Sequence, residues 1–125
     1  MNNKPIISII MNCYNGEAFL NEAINSITKQ TFENWELIFF DNNSKDNSEK
    51  IVKSFKDSRI KYFKSDRLLN LYDARNLAVK KTNGDYISFL DTDDMWTKDK
   101  LEKQINFIKK NSNYKILYSN YYVLN

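Results

Sequence analysis

The stretch Ile6-Ile-Ser-Ile-Ile-Met11 runs without a break into the polar cluster Asn12-Cys-Tyr-Asn-Gly-Glu17, after which Leu20, Ala23, Ile24 and Ile27 recur at i, i+3, i+4 and i+7. A short apolar run bounded by turn residues has the length of a strand, and the spacing that follows predicts one face of a helix begun near Asn15 or Gly16. Working outward, the same unit repeats. Strand-length apolar runs fall at 35–40, 60–63, 85–90 and 115–118, and helical stripes at Ile51, Val52 and Phe55, at Leu71, Ala74 and Ala78, and at Leu101, Ile105 and Ile108. The runs at 6–11, 35–40 and 85–90 are apolar on both faces, as parallel strands covered by helices on both sides must be. The expected class is therefore α/β, with five strands in a largely parallel sheet flanked by four helices.

Local punctuation sets the expected limits. Asp46 and Glu49 have capping-box spacing, Asn83-Gly84 suits a helix C-terminus, and Thr97 suits an N-cap. In parallel sheets ligands bind beyond the carboxyl ends of the strands. The clusters Asn12 to Glu17, Asp41 to Ser44 and Asp91 to Asp94 each directly follow a strand, which predicts that all three meet at one edge.

Composition narrows the chemistry. The 125 residues are 42% hydrophobic and 28% charged, the balance of one soluble globular domain. With no histidine, Ser-His-Asp and Cys-His catalysis and every His-containing zinc site are excluded. Two glycines are too few for a Walker-type loop or a dinucleotide fingerprint. The single cysteine, Cys13, forms no internal disulfide and has no base beside it to activate it. A net charge of +3 spread among interleaved acids leaves no nucleic-acid footprint. No run approaches the ~20 apolar residues of a membrane span, and no leader is evident, so a cytoplasmic location is expected.

Carboxylates must then carry the chemistry. Asp91-Thr-Asp-Asp94 follows Tyr86-Ile-Ser-Phe-Leu90 without a spacer. Acids held this close raise each other's pKa unless a cation neutralises them, and hard oxygen ligands suit Mg²⁺ or Mn²⁺. The same residues also suit the approach to a helix N-terminus. Asp41, after Trp35-Glu-Leu-Ile-Phe-Phe40, offers an acceptor for the imide N–H of a base, although Asp41-Asn-Asn-Ser44 suits an ordinary strand-to-helix turn equally well. Tyr14 is placed either to stack on a base or to pack on the core. Arg75 is placed either to approach a diphosphate or to pair with one of the acids.

Five ordered blocks together carry a resemblance. Ile7-Ser-Ile-Ile-Met-Asn-Cys-Tyr-Asn15, Ile27-Thr-Lys-Gln-Thr-Phe32, Glu36-Leu-Ile-Phe-Phe-Asp-Asn-Asn-Ser44, Ala74-Arg-Asn76 and Gly84-Asp-Tyr-Ile-Ser-Phe-Leu-Asp-Thr-Asp-Asp94 resemble the family 2 glycosyltransferases of the GT-A, Rossmann-like fold. The resemblance implies a single nucleotide-sugar-binding domain over 1–125, the N-terminal portion of a longer enzyme that acts in polysaccharide biosynthesis. It implies a UDP-type nucleotide-sugar donor, a saccharide or lipid-linked acceptor and inverting transfer, and it leaves peripheral membrane association open. Tyr14 and Asp41 map to base contacts. Asp91 and Asp93 map to the ribose and to the divalent metal of a D-x-D motif, with Asp94 a substitute ligand and Arg75 beside the diphosphate. The general base is implied to lie downstream of Asn125, so no catalytic residue is assigned within the chain.

This sequence departs from the family at three places. The first loop reads Asn12-Cys-Tyr-Asn15 where the family usually has a proline-led loop. Asn42 replaces a second acid, and Asn70 stands where a glycine is common, in a turn that asparagine can still make at positive φ. The alternative within the same fold is a non-catalytic nucleotide-binding or scaffold module. A receiver-like phosphoacceptor domain fits poorly, since the third strand runs into Lys64-Ser65 and the fifth into Ser119-Asn120.

Overall fold

The computed structural model describes residues 4–124. Met1–Asn3, on which the reading of an absent leader partly rests, and Asn125 lie outside them. The chain alternates strictly: β1 (Ile7–Cys13), α1 (Glu17–Thr28), β2 (Trp35–Asp41), α2 (Ser48–Ser54), β3 (Ile60–Lys64), α3 (Leu71–Val79), β4 (Tyr86–Phe89) and α4 (Lys100–Lys110). All pairings are parallel, in the order β3-β2-β1-β4.

The central strands are buried on both faces, and residue parity sorts their side chains. Odd-numbered Ile7, Ile9, Met11, Leu37 and Phe39 pack against Leu20, Ala23, Ile24, Ile27, Val52, Leu101 and Ile105, so α1, α2 and α4 cover one face. Even-numbered Ile10, Ile38 and Phe40 pack against Ala74 and Ala78 of α3, with Phe63 and Leu69 at the margin. Small alanines on α3 bring that helix close to the sheet.

Several expected details differ. No strand forms at 115–118. Ile116 and Tyr118 are 82% and 94% exposed, and among the described residues β4 pairs only with β1. An apolar pair between Lys115 and Tyr118 does not bury enough surface to dock on β4 by itself. The N-cap of α2 is Asn47 rather than Asp46, so no capping box closes. Asn70 lies at φ −66°, where its side chain accepts from the Asp73 N–H and caps α3. The expected C-cap at Asn83-Gly84 falls beyond α3, which ends at Val79 with Lys80 as its cap.

Gly84 has a different task. A Cβ there would lie 2.6 Å from the backbone nitrogen of Ser8, because the chain entering β4 crosses the start of β1. Thr97 does not cap α4 either: the N-cap is Asp99, and the Leu101 N–H donates instead to Oε1 of Gln30 at 3.1 Å. Gln30 also donates to the carbonyls of Ser26 and Thr97, which ties the end of α1 to the start of α4.

At the amino edge, Glu36 is buried and fully hydrogen-bonded. Ser8 and the Asn83 N–H donate to its Oε1 and Lys61 to its Oε2, each at 2.6 Å. Burial opposes ionisation of Glu36, but the bonds from Lys61, Ser8 and Asn83 outweigh it and hold the carboxyl below its usual range.

Two outcomes follow for stability. Gly84→Ala should destabilise the fold by roughly 1–3 kcal/mol in urea unfolding, because backbone stands where the methyl must go. A depressed carboxyl pKa stabilises above the unfolded value of about 4.3 and loses that contribution as pH falls through the lower folded value. The stability of the wild type should therefore fall most steeply between about pH 4.3 and that lower value. Glu36→Gln should be less stable at neutral pH by about 1–3 kcal/mol and show a shallower acid slope.

Candidate functional site

The loops after β1, β2 and β4 meet at the carboxyl edge, and the contacts among them are specific. The Asn42 N–H donates to the Cys13 carbonyl at 2.7 Å, continuing the β1–β2 ladder past the strand ends. The N–H groups of Asn15, Gly16 and Glu17, which open α1, donate to Oγ of Ser44, Oγ of Ser48 and Oδ2 of Asp46, each at 3.0 Å. In return Asn15 and Glu17 accept from the N–H groups of Lys45 and Asn47. Side chains of the second loop and of Ser48, the first residue of α2, thus take up the N–H groups that lead into α1. Asn15 and Asn43 take positive φ, 51° and 63°, which asparagine tolerates.

Gly16 brings in the third loop. A Cβ at Gly16 would lie 3.0 Å from Thr92 Oγ1 and 3.1 Å from Cys13 Sγ, so the absence of a side chain lets the acidic turn seat against the first loop. Asp91 to Asp94 form a tight turn in which the Asp94 N–H donates to the Asp91 carbonyl at 3.2 Å. Partial burial first, and then the charges of Asp93 and Asp91, push the Asp94 carboxyl up. Arg75, on α3, stands 3.4 Å from Asp91 and over the ring of Phe89. Both partners are substantially exposed, so the pair contributes little to stability and exchanges readily for a ligand.

Among the sequence-predicted residues, the structure gathers Arg75, Asp91, Asp93 and Asp94 at one edge, with Tyr14 on the adjoining first loop. Tyr14 is 52% exposed, which removes the alternative that it packs on the core. Asp41, the expected acceptor for a base, closes β2. It is 0% exposed, on the α1–α2 face, where its Oδ1 accepts from the Ser44 N–H at 2.7 Å and its Oδ2 from the Tyr62 hydroxyl at 2.6 Å. Its carboxylate holds the second loop in shape. Cys13 is buried, and burial pushes its thiol up, in keeping with an inert side chain. The implied general base beyond Asn125 falls outside the described residues.

Two residues at this edge are placed in ways that the reading of the sequence did not assign. Asn42 donates to the Leu69 carbonyl at 2.8 Å and accepts from the Leu69 N–H at 2.9 Å, fixing the segment that leads into α3. An acid at this position could not make the first of these bonds. The side-chain nitrogen and oxygen of Asn12 are buried without a hydrogen-bond partner among the described residues. The available signal was parity: residues 10, 12, 40 and 42 alternate onto the α3 face, whereas 39 and 41 do not.

The residues fit a divalent cation in one mode only. Among the described residues no three or more His, Cys, Asp or Glu side chains converge as a protein cage. Two or three neighbouring carboxylates instead match the habit of Mg²⁺-type ions, which take one or two protein carboxylates and complete their shell with substrate phosphates and water.

The sequence is 43% identical over 120 residues to an Escherichia coli UDP-Glc:alpha-D-GlcNAc-diphosphoundecaprenol beta-1,3-glucosyltransferase, WfgD, covering 96% of this chain and 47% of that protein. It is 46% identical over 111 residues to an uncharacterized glycosyltransferase of Haemophilus influenzae, covering 87% of this chain and 44% of that protein. The chain therefore spans a little under half the length of these relatives. The fold matches S. aureus TarS 1–349 with a TM-score of 0.81 at 28% identity, over 85% of this chain and 33% of that one, and that protein has been solved with UDP and with UDP-GlcNAc. The profile of Glycosyl transferase family 2 matches residues 8–124, and the chain belongs to that family.

Proposed function

We propose that the protein transfers a sugar from a UDP-linked donor to a hydroxyl of a saccharide or lipid-linked acceptor, and that this chain supplies the donor-binding edge. The observation that carries the reading is the convergence of Arg75 and the acidic turn with the welded first and second loops at the carboxyl edge of a parallel sheet. A cation and carboxylates side by side suit a diphosphate bridged to the protein by a metal ion. Tyr14, exposed on the first loop, stacks on the base. Asp91 serves the ribose and the metal, Asp93 the metal, and Asp94 is a substitute ligand. Arg75 leaves its weak pair with Asp91 to face the diphosphate.

When bound, a divalent ion, Mn²⁺ or Mg²⁺, neutralises charge that builds on the leaving diphosphate. The chain's own residues bind and orient. The acceptor hydroxyl is deprotonated by a carboxylate outside this chain, and in-line attack inverts the anomeric centre. Acceptors such as the diphospho-undecaprenol sugar named for the E. coli relative support a lipid-linked substrate met at a membrane face. No helix among the described residues is long and apolar enough to cross a membrane, and a cytoplasmic location completes the reading.

Calorimetric titration with UDP tests it. Binding should require Mn²⁺ or Mg²⁺, and Asp93→Ala should weaken the metal-dependent affinity by at least about tenfold while leaving the thermal midpoint near that of the wild type, because the turn is exposed. Equal UDP affinity with and without metal, unchanged in Asp93→Ala, would contradict it.

A further inference from the structure

We infer that Asn42 is a positioning residue for the donor: by gripping the backbone that enters α3, it sets where Arg75 stands. The inference rests on the UDP-donor reading above, in which Arg75 faces the diphosphate, and adds the residue that holds Arg75 in place. Arg75 lies on α3, whose buried side chains are Ala74 and Ala78. These pack on Ile10, Ile38 and Phe40. Methyl groups let a helix approach a sheet closely but interlock little along the helix axis, so the attachments at its ends must fix its place.

Two buried polar side chains supply those attachments, Glu36 within β2 and Asn42 just past its end, even-numbered like Ile38 and Phe40 and so on the α3 face. At the amino edge Glu36 accepts from the Asn83 N–H, beyond the C-terminal end of α3, at 2.6 Å. At the carboxyl edge Asn42 is 7% exposed, and its own N–H is bonded to the Cys13 carbonyl. Its amide takes both backbone groups of Leu69: Nδ2 donates to the carbonyl at 2.8 Å and Oδ1 accepts from the N–H at 2.9 Å. Asn70 follows, capping α3 at the Asp73 N–H and accepting the Ala74 N–H with its carbonyl. Hydrogen bonds thus run from the end of β2 through the cap to the residue beside Arg75. The side-chain contacts of Arg75 are looser, a 3.4 Å pair with Asp91 and the ring of Phe89. Gripping one N–H and one C=O together takes a donor and an acceptor on one side chain, which an amide offers and an ionised carboxylate does not. With that grip lost, the entry of α3 can shift, and a displacement of about 1 Å is enough to weaken a cation's hold on a diphosphate severely.

A double-mutant cycle tests it. UDP is titrated with Mn²⁺ against wild type, Asn42→Ala, Asn42→Asp, Arg75→Gln and the two combinations, at a temperature where every variant is folded. Asn42→Ala and Asn42→Asp both lose the bond to the Leu69 carbonyl, and only the second adds charge. Each should weaken UDP binding about tenfold alone and by less than about twofold in the Arg75→Gln background, because the grip acts through Arg75. Glu36→Gln, at the far attachment, should lower the melting midpoint yet keep UDP affinity within about twofold of wild type, which separates positioning from stability. Asn42 or Arg75 variants that bind UDP like wild type, or losses that multiply in the combinations, would overturn the positioning role while UDP binding stands. A loss of affinity that tracks the melting midpoint in all variants, Glu36→Gln included, would overturn it too. Failure of wild type to bind UDP with metal present would overturn the donor reading as well.

Discussion

The start of α1 is held by side chains from elsewhere in the sequence. Ser44, Asp46 and Ser48 accept the N–H groups of Glu17 and of the two residues before it, and the rest of the edge depends on this exchange. It fixes the first loop to the second, so Gly16 presents a bare surface on which Thr92 seats, and the acidic turn takes its position from that seat. A parallel sheet delivers its loops to one edge in any case. What makes these loops a site rather than a collection of turns is that side chains of the second loop engage the backbone donors of the first, while Tyr14, Arg75 and the acids of the turn 91–94 stay exposed or only weakly paired.

Charge is distributed to the same end. At the amino edge the acid is buried and saturated: Glu36 takes hydrogen bonds from Ser8, Lys61 and Asn83. In the acidic turn at the carboxyl edge the carboxylates are exposed, and among the described residues their ion pair is with Arg75, at 3.4 Å from Asp91. A carboxylate that is part of the scaffold has every oxygen engaged, whereas one that awaits a cation does not. Asp41 belongs to the first class and Asp91 to the second, although each follows a strand directly. The distinction concerns partners rather than residue type.

That contrast explains how much was legible beforehand. The strands at 6–11 and 35–40 and the helices after them were readable because burial on both faces and a 3.6-residue stripe are local patterns. The convergence of three polar clusters followed from parallel topology. Contacts between distant segments were not readable: Gln30 supplants Thr97 in capping α4 across some seventy residues of chain, and Gly84 is required by the backbone of Ser8 rather than by a helix end. The run at 115–118 looked like a strand because Ile116, Leu117 and Tyr118 are apolar, but Ile116 and Tyr118 stay exposed and the segment forms no ladder with the edge strand β4. The burial of Asp41 was legible in principle, since Leu37, Phe39 and Asp41 share a face.

The central claim is that a nucleoside diphosphate and its metal sit at the carboxyl edge among these three loops. The most direct measurement is paramagnetic broadening of backbone amide signals when UDP and substoichiometric Mn²⁺ are added to isotope-labelled protein. Selective loss of the signals of residues 12–16, 42–44 and 91–94, with Ser8, Glu36 and Gly84 at the opposite edge unaffected, is the predicted result. Uniform broadening, or loss centred on the amino edge, would contradict it.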